Sequence, residues 1–255
     1  RDYFIVHMKN MHGYFEVIPV MKIKKPNEER NVTDLTYFHG PYVRKKIRGL
    51  EDQVRIAKKF MKANEVYGAE TYVKGFSGYT LEILTIYYGS FGKLIKNAIK
   101  WKNGTIIDVE KHYEGLNQSK AGPLIVIDPV QHDRNTAAAL SEKKFNLFIE
   151  IAKNFMHNPS NEFFELKRIT QEDLKGAVVV KAIPLSGKND VVGSKLLKAM
   201  EFIAKRLKEE GYKIDSYDWE WDKNAIFWYF VKNKNLPKKY KHFGPPVKEE
   251  GHLEK

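Results

Sequence analysis

The alternation of apolar and polar residues predicts two strands at the start of the chain, over residues 3–8 and 14–23. The segment that joins them ends at Gly13, which can adopt the positive φ of a tight turn. A charged loop over residues 24–32 then marks the change to a helical pattern. Because a domain rarely begins inside a hairpin, we expect this sheet to have further strands upstream of the chain, which would then be an internal fragment.

Three helical patterns follow. Apolar residues at helical spacing predict a helix from about residue 50, with an inward stripe formed by Leu50, Val54, Ala57 and Met61. A second pattern covers residues 81–100 with a break near Gly89 and Gly92, and a third covers 136–155. An apolar strand is predicted over 124–127, and the polar residues after it predict a turn that ends at Asn135.

The last third of the chain shows a strand, helix, strand, strand order. Strands are predicted over 177–183, 212–221 and 225–231, and an amphipathic helix over 190–210. This order is typical of a small α+β sheet of the ferredoxin-like or RNA-recognition-motif-like kind. The aromatic residues of its strands either pack in a core or stack on RNA bases, and packing is favoured for the group Trp219, Trp221, Phe227 and Trp228.

Composition indicates a globular protein with a sizeable core, since 42% of the 255 residues are hydrophobic and 30% are charged. The chain has no cysteine, which excludes disulfides, thiolate metal sites and thiol nucleophiles and favours the cytoplasm. No apolar run reaches the length of a membrane span, and the first residues do not resemble a signal peptide, so no membrane association is expected.

The charge balance favours a polyanionic partner. Lysine and arginine number 44 against 32 acidic residues, which gives a net charge of +12 and a pI near 9.4. Four basic residues lie at helical spacing on one face of the first helix, where they either meet a phosphate backbone or form an ordinary solvated surface: Arg55, Lys58, Lys59 and Lys62.

Common catalytic signatures are missing, including the P-loop and the dinucleotide-binding, zinc-protease and serine-hydrolase motifs. Two features remain. Glu16 stands inside an apolar strand, where it is either a solvent-facing residue or a metal ligand. Thr36, His39 and Lys58 lie in a segment short enough for their donors to converge on a nucleoside triphosphate.

A long series of motifs runs along the chain: Asp-x-Thr-x-Phe-His from Asp34, Val-Arg-x-x-Lys from Val54, Tyr-Gly-Ala-Glu from Tyr67, Val-Lys-Gly-Phe-Ser-Gly-Tyr from Val73, and Asp-Pro-Val through Arg-Asn from Asp128. This series resembles the archaeal, class I CCA-adding enzymes, which are tRNA nucleotidyltransferases. The resemblance covers nearly the whole chain and is most specific between Tyr67 and Tyr79.

The resemblance implies an α+β protein with three parts. Residues 1–33 would be the last strands of a nucleotidyltransferase palm, and residues 34–158 a mostly helical substrate-binding domain. Residues 159–255 would be an RNA-recognition-motif-like domain. The implied reaction adds CMP, CMP and AMP from CTP and ATP to the 3′ end of tRNA, whose acceptor stem is the implied partner. The resemblance leaves open whether the intact enzyme is an oligomer.

The resemblance also implies roles for individual residues. Glu16 matches a metal-binding carboxylate of the palm, where the family usually has aspartate, and Mg²⁺ would be the metal. Contacts to the nucleotide are implied for His39, Lys58 and Tyr67, and base selection for Arg134. Thr36 is predicted as a further nucleotide-binding donor from its place in the same segment. Arg55, Lys59 and Lys62 would bind RNA. Leu35 and Gly40 replace an arginine and a histidine of the family, so part of the pocket is altered.

The family's triphosphate-binding loop and its other two metal ligands have no counterpart in this sequence. Two-metal phosphoryl transfer needs several carboxylates, so the chain alone is expected to be inactive. Two alternatives stay open: a non-catalytic tRNA- or RNA-binding subunit, and a nucleotidyltransferase of the poly(A)-polymerase kind.

Overall fold

The computed structural model describes residues 4–7, 14–116, 120–233 and 235. The chain forms two compact units, Arg1–Lys167 and Arg168–Lys255. The division into three domains with boundaries at residues 33 and 158 stays a prediction. No helix within the described ranges is both long enough and apolar enough to cross a membrane.

The first unit opens with an antiparallel hairpin of β1 (Phe4–His7) and β2 (Tyr14–Val17), in which Ile5 lies opposite Glu16. The second strand is shorter than the sequence predicts. Pro19 has no N–H for a strand ladder, and the N–H of Met21 donates instead to Oδ1 of the buried Asp34, at 2.8 Å. Residues 18–23 therefore leave the hairpin.

Five helices follow in this unit: α1 (Thr36–Lys46), α2 (Glu51–Ala63), α3 (Gly78–Tyr88), α4 (Phe91–Ala98) and α5 (Glu142–His157). Serine side chains cap three of them, because Ser77, Ser90 and Ser141 each accept a backbone N–H from the first turn. Gly89 ends α3 in the left-handed conformation, with φ of 78°, so the predicted break near this residue is confirmed.

The helices enclose one apolar core. Val54, Ala57 and Met61 of α2 are buried, as the helical spacing predicts, and Ala57 and Met61 join residues of α3, α4 and α5. The helix α1 differs, because none of its residues is buried and only Tyr42 and Val43 pack partly against this core. The sequence pattern does not predict α1, since Gly40 and Pro41 are typical of loops.

A small sheet completes the first unit. It consists of β3 (Thr105–Ile107), β4 (Leu124–Asp128) and β5 (Gln131–Asn135). The central β4 is fully buried, parallel to β3 and antiparallel to β5. The polar β5 was predicted as a turn. It pairs with β4 because the Asn135 side chain satisfies backbone groups there, accepting the Val126 N–H at 2.9 Å and donating to the Leu124 carbonyl at 3.1 Å.

The second unit contains β6 (Val178–Ala182), α6 (Asn189–Glu209), β7 (Ile214–Trp221) and β8 (Ala225–Val231). The strand order is β6-β8-β7, and β8 runs antiparallel to both neighbours. β6 and β7 are therefore parallel and lie on either side of β8, which is the split β-α-β arrangement. The predicted α+β fold class is confirmed.

One face of this second sheet packs against α6. Phe227 and Tyr229 are buried with Leu196 and Met200 of the helix, and Trp219 and Trp221 pack partly against the same cluster. The Tyr229 hydroxyl donates to the Met200 carbonyl at 3.0 Å, and burial raises the pKa of Tyr229 to about 12. Trp228 alternates to the opposite face of β8 and is half-buried.

Candidate functional site

A buried carboxylate at the end of β4 gathers side chains from three other elements. Asp128 is 0% exposed. Its Oδ2 accepts from Nε2 of His39 on α1, at 2.9 Å, and from Nη1 of Arg134 on β5. Its Oδ1 accepts from the hydroxyl of Tyr79 on α3, at 3.0 Å, and from the N–H of Val130, also at 3.0 Å. Three separate elements are thus fixed to one residue.

The electrostatics of this cluster keep Asp128 ionised. Burial alone would raise its pKa, but the hydrogen bond and charge of His39, the N–H of Val130 and the charge of Arg134 outweigh burial and lower the pKa below the ordinary value of 3.8. The pKa of Tyr79 is raised, by burial first and then by the neighbouring Asp128 charge. Tyr79 is therefore a neutral donor at physiological pH.

A second group of side chains lies at the start of α3. The Nζ of Lys58 pairs with Oε1 of Glu82 at 2.9 Å, and both side chains are partly exposed. Gly78 lies against Tyr67 and Lys58, since a Cβ added at this glycine would be 2.8 Å from the Tyr67 hydroxyl and 3.9 Å from Cε of Lys58. The loop that carries Tyr67 is held by Gly68, whose N–H donates to the Phe76 carbonyl at 2.8 Å.

The two groups meet through consecutive residues, because Gly78 and Tyr79 both lie in the first turn of α3. The N–H groups and the dipole at a helix N-terminus favour anions. Four of the residues predicted to contact the nucleotide therefore lie near this turn: His39, Lys58, Tyr67 and Arg134. The fifth, Thr36, is exposed at the first position of α1, one turn before His39.

Asp128 and Tyr79 were not among the predicted site residues. The sequence signal was present, since an aspartate ends a wholly apolar strand and an arginine follows six residues later. An aspartate before proline is, however, more often part of a turn than a buried hydrogen-bond acceptor. Only the packing of α1 and α3 against β4 shows that Asp128 is a buried hydrogen-bond acceptor and not a turn residue.

A loop over residues 108–116 joins α1 to the small sheet. Oε1 of Glu110 accepts from the Tyr42 hydroxyl at 2.6 Å and pairs with Nζ of Lys46 at 2.9 Å. The ring of His112 contacts the Asp128 carbonyl through Nε2 at 3.2 Å. His39, Tyr42 and Lys46 lie at i, i+3 and i+7, so one face of α1 is attached by polar contacts.

The residues predicted to bind RNA are exposed on α2. Arg55 pairs with Asp52 at 2.7 Å, although both side chains are largely in solvent. Nζ of Lys62 lies over the Tyr67 ring, 5.2 Å from its centroid, and Lys59 is also exposed. An exposed ion pair contributes little, so Arg55 is available to a phosphate. Their role in RNA binding stays a prediction.

Glu16 lies in β2, but its side chain is outside the described part of the structure. In the described part, no three His, Asp or Glu side chains are grouped so that they could hold a metal ion. The described residues therefore do not form a metal site. The metal-binding role of Glu16 stays a prediction.

Residues 52–165 match the family model described as tRNA nucleotidyltransferase, second domain. The chain is also 35% identical over 255 residues to the CCA-adding enzyme of Nanoarchaeum equitans (strain Kin4-M), an alignment that covers 97% of this chain and 63% of the relative. The chain is thus similar to this CCA-adding enzyme over nearly its whole length and contains a match to the second domain of tRNA nucleotidyltransferases. The matched domain contains Lys58, Tyr67, Asp128 and Arg134, so most of the candidate site lies within it.

Two further CCA-adding enzymes show the same level of identity. The enzyme of Saccharolobus shibatae is 35% identical over 250 residues, which are 96% of this chain and 59% of that enzyme. The enzyme of Methanosarcina barkeri (strain Fusaro / DSM 804) is 35% identical over 254 residues, which are 94% of this chain and 55% of that enzyme. The chain thus spans less than two thirds of the length of the curated relatives it matches.

Proposed function

We propose that this protein acts in CCA addition to tRNA and that this chain supplies nucleotide selection and tRNA binding. The proposal is supported by the similarity to CCA-adding enzymes and by the arrangement around the first turn of α3. One observation carries it: the guanidinium of Arg134 is fixed on a buried carboxylate, beside His39, at the end of the helix that also approaches Lys58 and Tyr67.

The proposed reaction is attack of the tRNA 3′-hydroxyl on the α-phosphate of CTP, twice, and then of ATP. In each step a bond from the 3′-oxygen to the α-phosphorus forms, the bond from that phosphorus to the bridging oxygen breaks, and pyrophosphate leaves. The tRNA acceptor stem, CTP and ATP are the proposed partners. Nucleotidyltransferases use a divalent metal, and we propose Mg²⁺ with Glu16 among its ligands.

Lys58 and His39 are proposed to orient the triphosphate, with Thr36 as a further donor and Tyr67 positioning the nucleotide. The ammonium of Lys58 is only partly exposed and neutralised by Glu82. A triphosphate carries more negative charge than one carboxylate, so it competes with Glu82 for this ammonium. A contact of this kind is independent of the base.

Arg134 is proposed to select the base. An arginine donates hydrogen bonds and accepts none. Cytosine N3 and adenine N1 are acceptors, whereas the corresponding nitrogens of uracil and guanine carry hydrogens. A fixed guanidinium directed at this position therefore favours CTP and ATP over UTP and GTP.

The first test is a titration of the chain with an acceptor-stem minihelix that lacks its CCA end, against a plain RNA duplex of equal length, at two salt concentrations. Preference for the minihelix at both concentrations is expected. Equal binding of both RNAs that collapses with salt would reduce the proposal to a generic basic surface.

The second test measures the affinity of the minihelix complex for each of the four nucleoside triphosphates. Preference for CTP and ATP is expected, with Arg134→Ala abolishing it. Arg55→Ala is the matched control, because this exposed arginine is proposed to touch only RNA, and it is expected to weaken minihelix binding without changing base choice. Unchanged base choice in Arg134→Ala would contradict the proposed selection.

A further inference from the structure

One oxygen atom of Asp128 is shared by two residues with different proposed tasks. Oδ2 accepts from His39, proposed to orient the triphosphate, and from Arg134, proposed to read the base. The carboxylate is inaccessible to solvent, so water does not compete for this oxygen. Neither donor can move without changing the environment of the other.

Arginine alone is a poor discriminator. Its side chain is long and flexible, and its five N–H groups can donate to any acceptor, including O4 of uracil and O6 of guanine. Selectivity requires that the plane of the guanidinium be fixed. In this structure Nη1 is held by Asp128, and among the described residues Arg134 has no other hydrogen-bond partner, so Nε and Nη2 are left for a ligand.

We infer that Asp128 is a positioning residue for base selection, which holds Arg134 in the orientation that reads the base and couples it, through the shared oxygen, to His39. This inference rests on the proposed function. Asp128 does not touch the nucleotide. It acts through Arg134, and its loss should lower selectivity more than overall turnover.

The test uses the full-length gene product and steady-state incorporation of CMP and UMP into the minihelix. Asp128→Asn keeps the shape of the side chain but removes the charge that orients the guanidinium. We expect the ratio of kcat/KM for CTP to that for UTP to fall at least about tenfold, mainly through faster use of UTP. Asp133→Asn is the matched control, because Asp133 lies next to Arg134 on β5 and pairs with Lys120 at the surface, at 2.8 Å. It should leave the ratio unchanged.

A double-mutant cycle separates positioning from a general structural role. If Asp128 acts through Arg134, Asp128→Asn should have little further effect on the CTP to UTP ratio once Arg134 is alanine. Additive effects of the two changes would overturn the inference. So would an Asp128→Asn enzyme that loses turnover of all nucleotides equally, because this is the result expected of a merely structural residue.

Tyr79→Phe provides a second, milder variant in case Asp128→Asn does not fold. It removes one hydrogen bond to Asp128 and retains the ring, so a smaller loss of selectivity in the same direction is expected, and an unchanged ratio counts against the inference. The proposed function and the role of Asp128 can fail independently. If Arg134→Ala leaves base choice intact, the proposed function fails. If Arg134→Ala loses base choice while the folded Asp128→Asn enzyme keeps it, only the role of Asp128 fails.

Discussion

The ring of Tyr79 lies on the ring of His39, with the ring centroids 4.1 Å apart and the planes inclined by 25°. Both side chains also donate hydrogen bonds to Asp128, His39 to Oδ2 and Tyr79 to Oδ1. A ring that is stacked on one side and hydrogen-bonded at its edge has little freedom to rotate. His39 is therefore oriented before any nucleotide arrives, although the helix that carries it has no buried residue.

Lys58→Ala is expected to weaken binding of CTP and ATP to the same extent, about 10- to 100-fold, because a charged hydrogen bond to phosphate is lost whichever base is present. Glu82→Gln is the informative partner variant. It frees the ammonium of Lys58 and removes a negative charge, so both nucleotides should bind more tightly. Calorimetric titration measures both effects, and selective loss of one nucleotide in Lys58→Ala would contradict a phosphate contact.

Gly78→Ala is expected to displace the Tyr67 hydroxyl, since the new Cβ would lie 2.8 Å from it. A flexible side chain can yield to this contact, so folding should be retained while nucleotide affinity falls about fivefold. Gly92→Ala is the matched control in α4. Apart from its chain neighbours and the backbone of its own helix, no atom lies within 4 Å of its added Cβ, and the change should stabilise the protein by up to about 1 kcal/mol. Equal affinities of the two variants would argue against a role of Tyr67.

Asp128 should also determine the acid stability of the first unit. Its pKa in the folded protein lies below the ordinary 3.8, so its contribution is complete above pH 3.8 and is lost as the pH falls from 3.8 through the folded value. Asp128→Asn should therefore lower the free energy of unfolding by about 3 kcal/mol at pH 7. This difference should narrow below pH 3.8. Denaturant unfolding followed by circular dichroism, across this pH range, would detect a constant difference if the assignment were wrong.

The two faces of the second sheet should respond differently to truncation. Phe227→Ala is expected to destabilise the second unit by about 3–5 kcal/mol, because Phe227 is 1% exposed in the cluster under α6. Trp228→Ala, at the next position but on the opposite face, should cost much less. Thermal unfolding of the two variants compares them directly, and similar losses would show that the face of Trp228 is also covered.

The elements that were predicted well are those whose buried apolar residues recur at the regular spacing of a strand or a helix. Strand β8 was predicted with its observed bounds, and α6 within one residue, because β8 alternates between buried and half-buried residues and α6 has one buried stripe at helical spacing. Helix α5 begins at Glu142, not near 136, since Ser141 supplies the cap and residues before it follow β5. The polar β5 and α1 could not be found this way, because long-range hydrogen bonds and not apolar burial hold them.

The site residues also divide into those that a local motif identifies and those that only long-range contacts identify. Motif similarity selected His39, Lys58, Tyr67 and Arg134, and the structure gathers all four around one helix end. It did not select Asp128, whose importance lies in contacts with residues 89 and 49 positions away in the chain. No local pattern encodes such contacts. The pairing of Lys58 with Glu82 across 24 positions was hidden for the same reason.

The attachment of α1 has a consequence for motion. Its polar contacts to the rest of the first unit run through His39, Tyr42 and Lys46, and none of its own side chains is fully buried, so little apolar surface beyond that of Tyr42 and Val43 opposes its opening. Amide hydrogens of α1 should then exchange with solvent through local opening, at rates well above those of α3, whose interior is buried. Bound nucleotide would slow this exchange, because the segment that presents Thr36 and His39 cannot open while both are engaged.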